Sequence, residues 1–267
     1  TLLRNPNNGE PIYLIAVIEE IDERKQAELQ LQQKVEQLAQ TTAELSKRNQ
    51  ELDQFAYVAS HDLKAPLRAI ANLSQWLEDD LSGNLPSENQ RQLELLRGRV
   101  NRMEALIDGL LEYSRVGRIQ RNREKVDVRK LLDEVIDLLA PPKNFTIDIL
   151  SPIPTLTTQK LPLTQVFNNL INNAIKHHPR QDGHIIISAK DKGTFHEFSI
   201  ADDGSGIAPE YHQKIFSIFQ TLEARDTKES TGMGLAIVKK IIDSMRGSIK
   251  VESQVGEGTK FIFTWSK

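Results

Sequence analysis

From residue 21 to residue 115 apolar side chains recur at helical spacing, and beyond residue 126 shorter, alternating runs take over. Leu31, Leu38, Leu45 and Leu52 stand seven apart in a segment rich in Gln, Glu and Lys, the seam of a parallel coiled coil. The companion seam is weaker: Val35 suits it, whereas Thr42 and Asn49 are polar and fix register at a cost in stability. A long amphipathic helix docked on a globular domain gives a related pattern, but the heptad spacing favours a dimer. The helix runs on through Phe55, Val58 and Ala59 to Pro66. There a lost backbone donor predicts a bend rather than an end, because Leu67, Ile70, Leu73 and Leu77 extend the stripe. After a loop over residues 81–86, Ser87 is expected to cap a second helix. Its stripe of Leu93, Leu96, Val100, Met103, Ile107, Leu110 and Leu111 must be buried. Two helices joined in this way form an antiparallel hairpin with no closed core, so two copies are expected to pair as a four-helix bundle.

Upstream, Ile12 to Ile18 reads as a strand behind the turn signal Asn7-Asn8-Gly9. Downstream, Leu131–Leu139 reads as a helix, Phe145–Leu150 as a strand, and Pro162–Lys176 as a helix with proline in its first turn. Strands His184–Ala189 and Phe195–Ala201 follow, then a helix over Met233–Met245 and strands Ser248–Ser253 and Thr259–Trp265. Helices beside a hairpin-connected sheet predict an α+β class, here a two-layer α/β sandwich behind the helical hairpin. The basic stretch with Arg115, Arg118, Arg121 and Arg123 reads as a solvated linker between the two.

At 267 residues the chain has room for two modules. A formal net charge of −3 offers no general attraction to nucleic acid or an anionic membrane surface, so neither is an expected partner. The absence of cysteine excludes disulfides and thiolate metal sites, and fits a cytoplasmic location. No apolar run has the length of a membrane span, and the start TLLRNPNNGE lacks the order of a signal peptide. The chain begins in mid-pattern without Met, which suggests a fragment with room upstream for a sensor or membrane anchor.

The helix ending at Lys176 is chemically odd. Its apolar face is Leu163, Val166, Phe167, Leu170, Ile171 and Ala174, while Gln165, Asn169, Asn173 and Lys176 share the other. Asparagine is a mediocre helix former, and four of them, at 168, 169, 172 and 173, call for a compensating role. Amide oxygens are hard neutral ligands that suit magnesium already bound to phosphates, though alone they fit polar surface equally well. Three glycine clusters follow: Asp202-Asp203-Gly204-Ser205-Gly206, Gly232-Met233-Gly234 and Gly256-Glu257-Gly258-Thr259. The first fixes an acidic side chain at a strand end, and the second precedes a helix whose free amides and dipole favour phosphate. No Walker loop or eukaryotic-type kinase signature occurs. His61 stands beside Asp62 on the hairpin, where a carboxylate on one ring nitrogen prepares the other as a nucleophile. His177 and His178 lie at the end of the asparagine helix, where they suit either a cation near phosphate or a simple helix-end role.

Taken together, these segments resemble the histidine kinases of two-component signalling along the whole chain. FAYVASHDLKAPLRAI resembles the H-box, NNLINNAIKHHP the N-box, ADDGSGIAP the first glycine box, KIFSIFQTL the F-box, and TGMGLAIVKKI and GEGTKFIF the later glycine boxes. The kinase portion is especially similar to the cyanobacterial and phytochrome-type branch. GEPIYLIAVIEEIDERKQAE resembles the last strand and exit helix of a PAS sensor domain, with Glu20 and Asp22 departing from the usual D-I-T-E-R-K.

The resemblance implies a Bergerat-type ATP-binding domain and a phosphoacceptor hairpin. His61 would accept phosphate beside Asp62; Asn169 and Asn173 would meet magnesium, Lys176 and His177 phosphate, and Asp202 the adenine amino group. Gly204, Gly206, Gly232, Gly234, Leu235 and Thr259 would complete the ATP contacts. The implied organisation is a PAS-like end at 1–20, a signalling coiled coil at 21–52, a dimerisation and phosphotransfer domain at 53–121 and a catalytic domain at 122–267. A homodimer, a response regulator and Mg-ATP are the implied partners. Two departures stand out: Ser230 replaces a glycine of the second glycine box, and Ala65 stands four residues after His61, where members with phosphatase activity carry Thr or Asn. A nucleotide-clamping ATPase of the same superfamily leaves His61 unexplained, and a pseudokinase scaffold leaves the intact nucleotide motifs unexplained.

Overall fold

The computed structural model describes all residues except 1–3, 11, 82–84, 118–121, 151 and 222–230, and describes no side chains at 12–22, 53 and 55. Arg118, Arg121, Ser230 and the centre of the hairpin loop therefore lie outside the described residues. The chain divides into two units, Thr1–Phe55 and Ala56–Lys267.

In the first unit, Gly9 N–H donates to Asn5 O at 2.9 Å and Asn5 N–H to Glu10 O at 2.7 Å, so the expected turn forms. Helix α1 (Ile12–Asp80) follows at once, which corrects the strand expected over Ile12–Ile18. A short apolar run has no period that separates strand from helix, and a helix satisfies its own backbone where no neighbouring strand offers partners. Leu31, Leu38, Leu45 and Leu52 are 57–67 % exposed on this single chain.

In the second unit, α1 continues through Pro66 and pairs with α2 (Ser87–Arg115). Cross-helix ion pairs set an antiparallel register: Lys64 with Asp108, Arg68 Nε with Glu104 Oε1 at 3.2 Å, and Arg97 with Glu78. Ser87 is the first helical residue rather than the cap. Pro86 holds the cap position with φ −58° and ψ 142°, and its carbonyl accepts from Gln90 N–H at 3.1 Å. Proline suits that place because it has no amide to leave unpaired. Val100 is buried, whereas Ile70, Leu73, Leu77, Leu96, Met103 and Leu110 stay exposed.

The rest of this unit is a two-layer sandwich. Its elements are β1 (Glu124–Asp127), α3 (Val128–Leu139), β2 (Thr146–Ile149), β3 (Thr155–Thr158), α4 (Lys160–Lys176), β4 (His184–Asp191), β5 (Phe195–Asp202), α5 (Gly234–Ser244), β6 (Ile249–Ser253) and β7 (Thr259–Ser266). The main sheet has the order β2-β4-β5-β7-β6, with only β2 and β4 parallel. β1 and β3 form a separate antiparallel pair, which the sequence did not disclose. Asp127 starts α3 by accepting from the N–H groups of Arg129 and Lys130 at 3.0 and 3.2 Å. The apolar face of α4 packs onto the sheet, where Phe167 meets Phe198 edge-on with ring centres 5.4 Å apart. Each such fully buried side chain contributes about 1.5–3 kcal/mol by leaving water. Trp265 Nε1 donates to Thr158 Oγ1 at 2.9 Å, a buried bond that fastens the small sheet to the large one.

Candidate functional site

Burying one face of α4 leaves its polar face as one wall of a cavity of about 630 Å³. The ends of β5 and β7, the start of α5 and helix α2 supply the others. From α4 come Asn169, Asn173, Lys176 and His177; from the strand ends and loops come Asp202, Gly206 and Thr259; from the α5 entry come Gly232, Gly234 and Leu235. Gly204 is not in the wall; its N–H donates to Asp202 Oδ1 at 3.0 Å and holds that carboxyl in place.

Asp202 ends β5 opposite Thr259 of β7, whose N–H also reaches Oδ1 at 3.3 Å. Burial pushes the Asp202 carboxyl above the usual range, against the lowering effect of these two amides. Asp203, one residue on, faces the other way, as successive residues at a strand end do. Its Oδ1 accepts from His184 N–H at 2.6 Å and meets His178 Nε2 at 3.0 Å, while Oδ2 accepts from Arg180 at 2.8 Å. Partial burial raises the Asp203 carboxyl, but the His184 amide and His178 outweigh it and hold it below the usual value. His178 is thus a strut for the loop rather than part of the cavity wall. Gly206, at φ +71°, must be glycine: an added Cβ would lie 1.8 Å from Gln254 O.

Asn169 Nδ2 donates to Gln165 O at 2.9 Å, which leaves its amide oxygen beside Gly234, 2.8 Å from where a methyl group there would sit. This end of the cavity joins neutral oxygen donors to the N-terminus of α5, a combination that fits a metal-bound phosphate. Asp202 lies at a strand end and offers an acceptor.

His61 and Asp62 are not in that wall. They project from α1, both largely exposed, with His61 Nδ1 3.3 Å from Asp62 Oδ1. His61 borders a second hollow of about 260 Å³ with Tyr57, Lys64, Ala65, Arg68 and Leu111. Sequence reasoning missed the share of α2 in the large cavity: Arg102, Asp108, Gly109 and Glu112 all line it. From Ala105, which lines it too, Asp108, Gly109 and Glu112 stand at i+3, i+4 and i+7, and this shared face, along with Gly109 inside the helix, was the available signal.

Two family models match. The His Kinase A (phospho-acceptor) domain matches residues 51–118, and the histidine kinase-, DNA gyrase B- and HSP90-like ATPase matches residues 158–267. Cyanobacterial phytochrome A of Nostoc sp. is 41 % identical over 234 residues, 86 % of this chain and 30 % of the relative. Cyanobacterial phytochrome B of the same organism is 38 % identical over 237 residues, 87 % of this chain and 32 % of that relative. The chain thus spans about a third of the length of these curated relatives. Among solved structures, full-length ShkA in complex with AMPPNP superposes with a TM-score of 0.60 at 27 % identity, covering 79 % of this chain and 45 % of that one. No helix among the described residues is long and apolar enough to cross a membrane. With an acceptor hairpin and a following ATPase sandwich, both matched by their own family models, the chain belongs to the sensor histidine kinases.

Proposed function

We propose that this chain binds Mg-ATP in the large cavity, transfers the γ-phosphoryl group to His61 and passes it on to an aspartate of a response regulator. The observation that carries this reading is the union, in one unit, of a phosphate-suited cavity with a hairpin presenting an exposed His61–Asp62 pair. The carboxylate at Nδ1 holds that proton and leaves the Nε2 lone pair free to attack phosphorus. ADP leaves as the P–N bond forms. Asp202 accepts from the adenine amino group; Lys176 and His177 face the phosphates, and Gly232, Gly234 and Leu235 bring the amides of the α5 entry to them. Asn169 and Asn173 would hold magnesium through their amide oxygens, where the ion supplies charge neutralisation. Catalysis is then chiefly positioning and electrostatics.

The same reading takes residues 53–121 as the phosphotransfer domain, 122–267 as the catalytic domain, and the leucine seam of α1 as the coiled-coil route from an upstream input domain. The exposed leucines of α1 and the open apolar stripe of the hairpin support a parallel homodimer. Light scattering at micromolar concentration checks it, and a monomer contradicts it.

Incubation with magnesium and γ-labelled ATP, beside a His61→Gln variant, tests the core of the proposal. Acid-labile label on the unaltered chain alone is expected. Equal labelling of both rejects His61, and no label on either favours a scaffold without turnover.

A further inference from the structure

Helix α2 closes the large cavity at the end assigned above to phosphate. Gly109 lies against Met233, between the two glycines of the α5 entry; a Cβ on Gly109 would meet Met233 Cγ at 2.8 Å and Cβ at 2.9 Å. One turn from Asp108, Glu112 accepts a hydrogen bond from Gln165, and Gln165 stands one turn before Asn169 on α4. Both carboxylates line the cavity. The basic groups in the wall are Arg102 on α2 and Lys176 and His177 on α4, Asp202 is a third carboxyl of the wall, and Lys64 of α1 pairs with Asp108 from outside it. α2 therefore contributes two carboxylates and one guanidinium to the space a triphosphate would enter. Burial, eased by Gln165 and aggravated by Asp108, holds the Glu112 carboxyl above the usual range, as expected of an anion poorly served by its surroundings.

We propose that α2 is a built-in competitor of the nucleotide: with Asp108 and Glu112 in the cavity wall, docking of the hairpin on the ATP domain and binding of a triphosphate weaken each other. The inference rests on the reading of the cavity as a nucleotide site. Its consequence is reciprocal, since a docked α2 lowers ATP affinity and bound ATP loosens α2 by the same factor. Nucleotide binding then does mechanical work, freeing the ATP domain from the face where it is docked, which does not include His61. Gly109 sets how closely the two can approach.

The test is calorimetry with Mg-AMPPNP on the whole chain, on Asp108→Asn/Glu112→Gln, on Gly109→Leu, and on Asp202→Asn. The double variant removes charge and Gly109→Leu adds bulk against Met233, so both should bind about tenfold tighter than the unaltered chain, within the usual span of such couplings. Unchanged or weaker binding in both variants overturns the competition and leaves the nucleotide site standing, provided Asp202→Asn binds worse. If the unaltered chain binds no AMPPNP, the nucleotide reading fails first and this inference falls with it. A second measurement uses the lack of native cysteine. Spin labels on Gln92→Cys and Lys190→Cys should give a distance distribution that shifts on adding Mg-AMPPNP, and an unmoved distribution counts against release.

Discussion

Replacing Asp202 by Asn separates recognition from folding at one atom. Oδ1 of Asp202 takes the amides of Gly204 and Thr259, and an asparagine oxygen can keep both. What changes is the other terminal atom, which turns from an acceptor into an NH2 donor that would face the adenine amino group in the proposed nucleotide complex. The loss is that of a charge-assisted hydrogen bond, about 1.5–3 kcal/mol, or roughly a 10- to 150-fold rise in Kd. Stability should move the opposite way. Because burial raises the Asp202 carboxyl in the folded state, the folded chain holds that proton more tightly than the unfolded one. Stability from this group is therefore present at low pH and falls as pH rises from the ordinary carboxylate range through the raised value. Asparagine never pays that loss, so at neutral pH the variant should melt no lower than the native chain. For the native chain, nucleotide affinity should fall on acidification through the same raised value. Calorimetry with Mg-AMPPNP and thermal melts give both readouts, and an unchanged Kd refutes the adenine assignment.

Gly206→Ala should lower the unfolding free energy by more than about 2 kcal/mol, read as a lower urea midpoint, since it adds a positive-φ strain to a 1.8 Å clash with Gln254 O; a midpoint equal to the native one contradicts the loop geometry. Asp203 has the reverse sign of Asp202: its carboxyl is held low, so its contribution is present above the ordinary carboxylate pKa and lost as pH falls through the depressed one. Melts of Asp203→Asn below neutral pH should thus show a shallower acid dependence than the native chain. Ala65 stands one helical turn after His61 and its methyl group cannot hold a water, so the chain should be a poor phosphatase of its regulator. Comparing the decay of phospho-regulator alone, with the chain and with Ala65→Asn checks this, and strong acceleration by the unaltered chain rejects it.

The sandwich was legible where burial imposes a period over many residues. In α4, six apolar positions at helical spacing all proved buried, and the strands expected over His184–Ala189 and Phe195–Ala201 fall within β4 and β5. The pair β1 and β3 escaped because four residues each, with Val126, Leu156 and Thr158 as their buried members, carry too little alternation to stand out. Ile12–Ile18 failed for a related reason: a run of apolar residues without alternation states only that something is hidden. Asp202, singled out at a strand end for the adenine edge, does line the cavity, yet its neighbour's ties to His178, Arg180 and His184 join residues distant along the chain, and no local pattern encodes them. For α2 the sequence offered a second helical face with Gly109 in it, but the stripe that packs a helix says nothing of which domain lies against that face.

Pro66 has no amide hydrogen, so the carbonyl of Asp62 lacks the helical donor it would have found four residues on. The turn immediately after His61 is therefore held by one hydrogen bond fewer than its neighbours in α1. In deuterated solvent the backbone amides next to His61 should open and exchange sooner than those a few turns away on the same helix. His61 thus sits beside a turn that lacks one of the backbone hydrogen bonds of a regular helix.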